Sequence, residues 1–216
     1  MSPVLYSLHN CPYAIRARLA LLRAKQTVRM RSIKLDNKPD EMLQVSPKGS
    51  VPVLVVEDSL VIEESLEIML WALEQNDPDD LLWADSPSAL PEMLTFIYEF
   101  ERTFTPAMNT FACAKRYHED NINVLRAHCE AELSKLEHRL SQHAFVFSEE
   151  ETLVDIALLP FLRKYARIDK QWFRNSSYLN LKNWLNGYIQ SPLFSKVMKH
   201  YELWTDNRID QDFGPN

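Results

Sequence analysis

The apolar positions in the first part of the chain change period several times over short distances. Val4-Leu5-Tyr6-Ser7-Leu8 is a short run suited to a strand, and from Pro12 to Lys25 the residues Ile15, Leu19 and Leu22 fall on one face of a helix. Val28-Arg29-Met30-Arg31-Ser32-Ile33 alternates as a strand does. A polar stretch, Asn37-Lys38-Pro39-Asp40, leads into a brief helix from Glu41 to Val45. Val53-Leu54-Val55-Val56 is a β-branched run of the length of a buried strand. Glu57-Asp58-Ser59 can turn it back into Leu60-Val61-Ile62 as an antiparallel neighbour. Glu63-Glu64-Ser65 then opens a helix carrying Leu66, Met69, Leu70 and Leu73. The order predicts an α/β domain over residues 1–77.

A linker over 78–88 follows, marked by the breakers Asp77-Pro78-Asp79-Asp80 and Asp85-Ser86-Pro87. Residues 89–216 show long helical periods and no strand pattern, so an all-helical domain is expected. Met93, Phe96, Ile97, Phe100 and Phe104 share one face ahead of Pro106, which is expected to kink or end that helix. Ile122, Leu125, Cys129, Leu133, Leu136 and Leu140 make a second amphipathic stripe. Thr152 with Asp155 three positions on forms a capping box. It opens a helix that is apolar nearly all round, with a bend expected at Pro160.

Composition narrows the function classes. A net charge of −6 leaves little to attract phosphates, so no nucleic-acid partner is expected. The most apolar stretches, VPVLVV and LVDIALLPFL, are too short or too interrupted to cross a bilayer, and no membrane is expected either. The start, MSPVLYSLHN, lacks the basic and apolar regions of a secretory leader. Three scattered cysteines form no disulfide framework, and a cytoplasmic setting is expected. The histidines lack HExxH spacing, and the glycines form neither GxGxxG nor GxxxxGK[ST], so no metal and no phosphate cradle is expected.

The candidate chemistry lies at Cys11. Pro12 suits a first helical position, which places Cys11 at the N-cap, where unpaired N–H groups and the positive end of the helix dipole face its sulfur. That setting favours the thiolate, the form that attacks. The competing reading of a lone cysteine is a small buried hydrophobe. Cys129 belongs to the stripe above and reads as core, and Cys113 reads the same way.

Four segments, in order and spanning most of the chain, give Cys11 its context. CPYAIRARLAL resembles the catalytic segment of the cysteine-type glutathione S-transferases, the omega class and its bacterial relatives above all. LDNKPDEMLQVSPKGSVPVL resembles that family's run from second strand to cis-proline. VIEESLEI resembles the start of its third helix, and TLVDIALLPFL its capping-box helix. The resemblance implies a thioredoxin-like domain followed by an all-α bundle, glutathione as co-substrate and a homodimer. It makes Cys11 the catalytic residue. Pro52 would be the cis-proline, since X-Pro bonds alone populate cis readily. The exposed backbone edge of Val51 would then pair with the cysteinyl main chain of glutathione like an added strand. Glu64 and Ser65, at a helix start that favours carboxylates, would hold the γ-glutamyl end, and Lys38 would face the glycyl carboxylate. Outside these motifs Lys38 and Glu64 would read as solvated charges. Tyr13, Tyr98, Phe104, Met108 and Phe111 are expected to line the second-substrate pocket, although those on the helical stripe fit ordinary core equally well.

Cys11-Pro12-Tyr13-Ala14 contains no second cysteine, which excludes a dithiol mechanism. The resemblance therefore implies a glutathione-dependent thiol transferase or reductase working through a mixed disulfide. The alternatives are conjugation, dehalogenation or isomerisation of a small electrophile at the same site, and a non-catalytic regulatory protein of the same fold.

Overall fold

The computed structural model describes residues 2–57 and 60–215. In chain order these form β1 (Val4–Ser7), α1 (Pro12–Arg23), β2 (Val28–Ser32), α2 (Asp40–Val45), β3 (Val53–Glu57), β4 (Leu60–Ile62) and α3 (Ser65–Gln75). There follow α4 (Ala89–Tyr117), α5 (Ile122–Leu140), α6 (Leu153–Ile168), α7 (Lys170–Asn175), α8 (Leu179–Ile189), α9 (Pro192–Val197), α10 (Trp204–Asn207) and β5 (Gln211–Phe213). Asp58 and Ser59 of the expected β3–β4 turn lie outside the described residues. The chain forms two compact units: the residues up to Asp79 together with those from Ser191 on, and Asp80–Gln190.

The first unit is a mixed sheet in the order β4-β3-β1-β2-β5. β1 runs parallel to β2, with Val4 opposite Arg29, and antiparallel to β3, with Leu5 opposite Leu54. Alternation sends Val4, Tyr6 and Val53 to one face, where they close on Ile33 and Met42 in a single apolar cluster. α1 and α3 lie against each other, each with a buried face that includes Ala14, Ile15, Leu19, Ile68, Met69 and Ala72.

β5 corrects the expectation that 89–216 is helical throughout. It pairs antiparallel with β2, with Val28 opposite Phe213, and completes the sheet of the first unit. Its three residues contain one buried apolar side chain, too short a run for a period to show. The returning segment is also held by charge. Arg31 donates from Nε to Asp210 Oδ1 at 2.6 Å and from Nη1 to Tyr6 Oη at 2.7 Å, with its guanidinium 4.2 Å from the Trp204 ring centroid.

The second unit is helical. α4 continues unbroken past Pro106, which neither ends it nor divides it. Its inner face beyond the proline, Met108, Phe111 and Ala114, keeps the register set by Ile97, Phe100 and Phe104. Packing along that whole face outweighs the one hydrogen bond a mid-helix proline removes. Two expectations fall with the break. Cys113 is exposed rather than core, because it lies two positions past Phe111, on the opposite side of a continuous helix. Phe104, Met108 and Phe111 are interior, not pocket lining: Phe104 stacks on Phe100 at 4.8 Å, and Phe104 and Phe111 lie 5.6 and 5.8 Å from the Tyr165 ring. Tyr98, on the other side of α4, is exposed. Cys129 is buried as expected, and burial pushes its thiol up to about 12.

α6 begins at the expected capping box and also runs on through its proline, Pro160. Asp155 accepts from the Thr152 N–H at 3.0 Å, the Val146 N–H at 2.9 Å and Trp184 Nε1 at 3.1 Å. Burial raises its carboxyl to about 6 even against these donors.

Candidate functional site

The loop between β1 and α1 delivers Cys11. Two contacts from α1 hold that loop: Arg18 donates from Nη1 to the buried Ser7 Oγ at 2.9 Å and from Nη2 to the part-buried His9 carbonyl at 2.6 Å. Cys11 is the N-cap of α1, extended at φ −73°, ψ 124°, with Pro12 in the first turn. Its carbonyl accepts from Ile15 N–H at 2.9 Å, while its side chain makes no capping hydrogen bond. The sulfur is therefore half-buried beside a helix start whose first N–H groups it does not consume.

The second wall is the loop ahead of β3. The Val51–Pro52 peptide is cis, as the sequence predicted. The Val51 carbonyl oxygen lies 4.0 Å from Cys11 Sγ, so the backbone edge and the thiol share one face. Gly49 makes the turn at φ +62°, a conformation that side chains disfavour. A Cβ there would come within 3.1 Å of Leu43 Cδ2 and 3.3 Å of Lys38 Nζ, which places the Lys38 ammonium directly against this loop.

The third wall is the start of α3. Glu64 is its N-cap and makes no side-chain capping bond, and Ser65 is its first helical residue. Ser65 is buried, and its Oγ accepts from Arg16 Nε at 2.9 Å. The hydroxyl spends a lone pair on that bond, so its own proton remains to be donated. Glu64 is paired with Lys48 of the loop ahead of β3, and that carboxylate holds the Lys48 ammonium above its usual range. Ser46, in the same loop, donates to Glu63 Oε1 at 2.5 Å.

The first unit thus gathers Cys11, Lys38, Val51, Pro52, Glu64 and Ser65, with Tyr13 half-buried in the first turn of α1 and 5.3 Å from the Arg16 guanidinium. Sequence reasoning missed Arg16 and Lys48. Both lie inside segments singled out above. Arg16 could have been found as a cation on the apolar, buried side of α1, whereas Lys48 left no signal, because its partner is sixteen positions away and the pairing depends on a loop path.

The first unit thus holds a sulfur near the backbone beside a cis-proline, and an acidic residue followed by a hydroxyl at a helix start. Comparisons with known proteins bear on that chemistry. The family model of the glutathione S-transferase N-terminal domain matches residues 5–80, and that of the C-terminal domain matches residues 99–192. The chain is 27% identical to mouse (Mus musculus) glutathione S-transferase omega-1 over 206 residues, 95% of this chain and 80% of that protein. It is 28% identical to glutathione S-transferase DHAR2 of Arabidopsis thaliana over 201 residues, 91% and 87% of the two chains. A glutathione transferase family member of Pseudomonas fluorescens, solved with two glutathione molecules bound, superposes with a TM-score of 0.78 at 18% identity, over 91% of this chain and 92% of that one.

Proposed function

The chain belongs to the glutathione S-transferase superfamily, and on that footing we propose that it is a glutathione-dependent thiol transferase that uses Cys11 as its nucleophile. The Cys11 thiolate attacks the glutathionyl sulfur of a mixed disulfide. A Cys11–glutathione disulfide forms as the substrate's sulfur–sulfur bond breaks, and the substrate thiolate leaves with the electron pair and takes a proton from water. The thiolate of a second glutathione then attacks the glutathionyl sulfur on Cys11, giving oxidised glutathione and restoring the enzyme thiolate. Glutathione is the co-substrate and the reductant. Lys38 takes its glycyl carboxylate, the Val51 edge its cysteinyl main chain, and Glu64 with Ser65 its γ-glutamyl end. The homodimer implied by the family goes with this reading.

The observation that carries the proposal is Cys11 Sγ at 4.0 Å from the Val51 carbonyl, at the uncapped start of α1. A sulfur so placed stands beside the sulfur of a peptide lying along that edge. The similarity to a glutathione S-transferase omega-1 supports this reading, because the Cys11 segment resembles that cysteine-type class. Cys11→Ser is expected to abolish turnover of a glutathionyl mixed disulfide while leaving affinity for S-methylglutathione within a few-fold. Mass spectrometry after exposure to oxidised glutathione should find one glutathionyl group, on Cys11. Full activity in the variant, or modification chiefly at the exposed Cys113, would end this mechanism. Faster turnover of aryl halides than of mixed disulfides would turn the assignment to conjugation at the same site.

A further inference from the structure

The Lys48–Glu64 pair stands at the γ-glutamyl end of the proposed site, and the reading above uses only its acidic half. The two residues come from different walls: Lys48 from the loop that ends at the cis-proline, Glu64 from the N-cap of α3. Their side chains are about half exposed, 53% for Lys48 and 60% for Glu64. An exposed pair of this kind contributes little to stability. It is also cheap to rearrange. The charges of Glu63 and Glu67 add a weaker attraction to that of Glu64 on the Lys48 ammonium. The loop under it is fixed at both sides, by Ser46 on Glu63 and by the turn at Gly49.

The γ-glutamyl residue of glutathione ends in a free α-ammonium and a free α-carboxylate on one carbon. A cation paired with an anion at the start of α3 presents the complementary pattern. We propose that Lys48 is a specificity-determining residue, which takes the γ-glutamyl α-carboxylate together with Ser65 while Glu64 takes the α-ammonium, so that the Lys48–Glu64 ion pair is a preformed reader of the amino-acid head group. This deepens the glutathione assignment and rests on it. The ion pair opens without being lost, because each member exchanges part of its partner for the opposite charge on the ligand. The α-carboxylate then meets a hydroxyl proton aimed by Arg16, the N-terminal N–H groups of α3 and one mobile ammonium.

The test is calorimetric titration with S-methylglutathione, which cannot enter disulfide exchange, and with its analogue in which γ-glutamyl is replaced by 4-aminobutyryl, which keeps the ammonium and lacks the α-carboxylate. Wild-type protein should bind the first about tenfold or more tightly than the second, the size expected of a charge-assisted hydrogen bond. Lys48→Met should lose about that factor for S-methylglutathione and almost nothing for the analogue, and Lys48→Arg should recover most of it. A Lys48→Met protein that binds S-methylglutathione as tightly as wild type, or more tightly, overturns the proposal, the tighter result making Lys48 a competitor for Glu64. Equal losses for both ligands also overturn it, since they would show a general effect on the loop. Wild-type protein giving no saturable heat with S-methylglutathione removes the glutathione reading itself. Lys48 is exposed, so circular dichroism of the variants should match wild type.

Discussion

At the scale of single residues, the proposed site depends on a side chain outside the Cys11-Pro12-Tyr13-Ala14 motif. Arg16 is buried in α1 and reaches α3 through Ser65 Oγ. By occupying a lone pair it sets the direction of the hydroxyl proton, which makes Arg16 a positioning residue. Arg16→Met should raise the KM for glutathione about three- to tenfold, in line with the weakening of one ordinary hydrogen bond from the Ser65 hydroxyl, and leave kcat at saturating glutathione within twofold. Ser65→Ala should produce a similar change. The double variant should be no worse than the poorer single one, because both remove one coupled interaction. Strictly additive losses would assign Arg16 to packing alone. The helix-start position of Cys11 and the N-cap position of Glu64 were legible in short local patterns, a proline after a strand and an acidic run ahead of an apolar helix, whereas the site roles of Val51, Pro52, Glu64 and Ser65 came from the resemblance of whole segments to the family. Arg16 and Lys48 act across 49 and 16 positions, and no local pattern encodes a contact of that kind.

At the scale of elements, the apolar period located the helices and strands well where it ran for two turns or more, and it failed where a single residue type was given too much weight. Pro106 looks like a terminator in isolation, yet α4 spans Ala89–Tyr117 because apolar residues on both sides of the proline share one buried face. The opening of α6 shows the reverse, a polar pattern whose effect is larger than its local form suggests. Asp155 closes the capping box and also accepts from Val146 and Trp184, so it joins α6 to the segment before it and to α8. Asp155→Asn turns an amide donor toward these donors and leaves at least one buried N–H unpaired. A loss of about 1–3 kcal/mol is expected, read as a lower midpoint in urea. Measurable soluble protein with unchanged stability would show that the network is not strained by the swap.

At the scale of the whole molecule, the chain leaves the first unit near Asp79, builds the helical unit, and comes back at Ser191 to finish the sheet it began. Asp210 in the first unit and Asp155 in the second are both shifted by their surroundings, and in opposite directions. Asp210, on the returning segment, is held below the usual carboxylate range by its hydrogen bond from Arg31, with the charges of Arg31 and Arg29 adding to it. A carboxyl whose folded value is depressed contributes stability above its unfolded value, near 3.9, and loses that contribution as pH falls through the folded value. Asp155 is raised to about 6, chiefly by burial. Its favourable contribution is complete below about 3.9 and is lost as pH rises through about 6. The stability of wild type relative to Asp210→Asn should therefore be largest near neutrality and shrink below about pH 4. Relative to Asp155→Asn it should be larger at pH 4 than at pH 7. Urea titrations of the three proteins at the two pH values read both differences directly. Asp210→Asn should also loosen the return of the chain, so amide exchange along the β2–β5 pairing should quicken while exchange within α6 stays as it was. A common pH trend in the two variants, or faster exchange in α6 after the Asp210 change, would mean that these carboxylates report the overall charge of the chain and not their own surroundings.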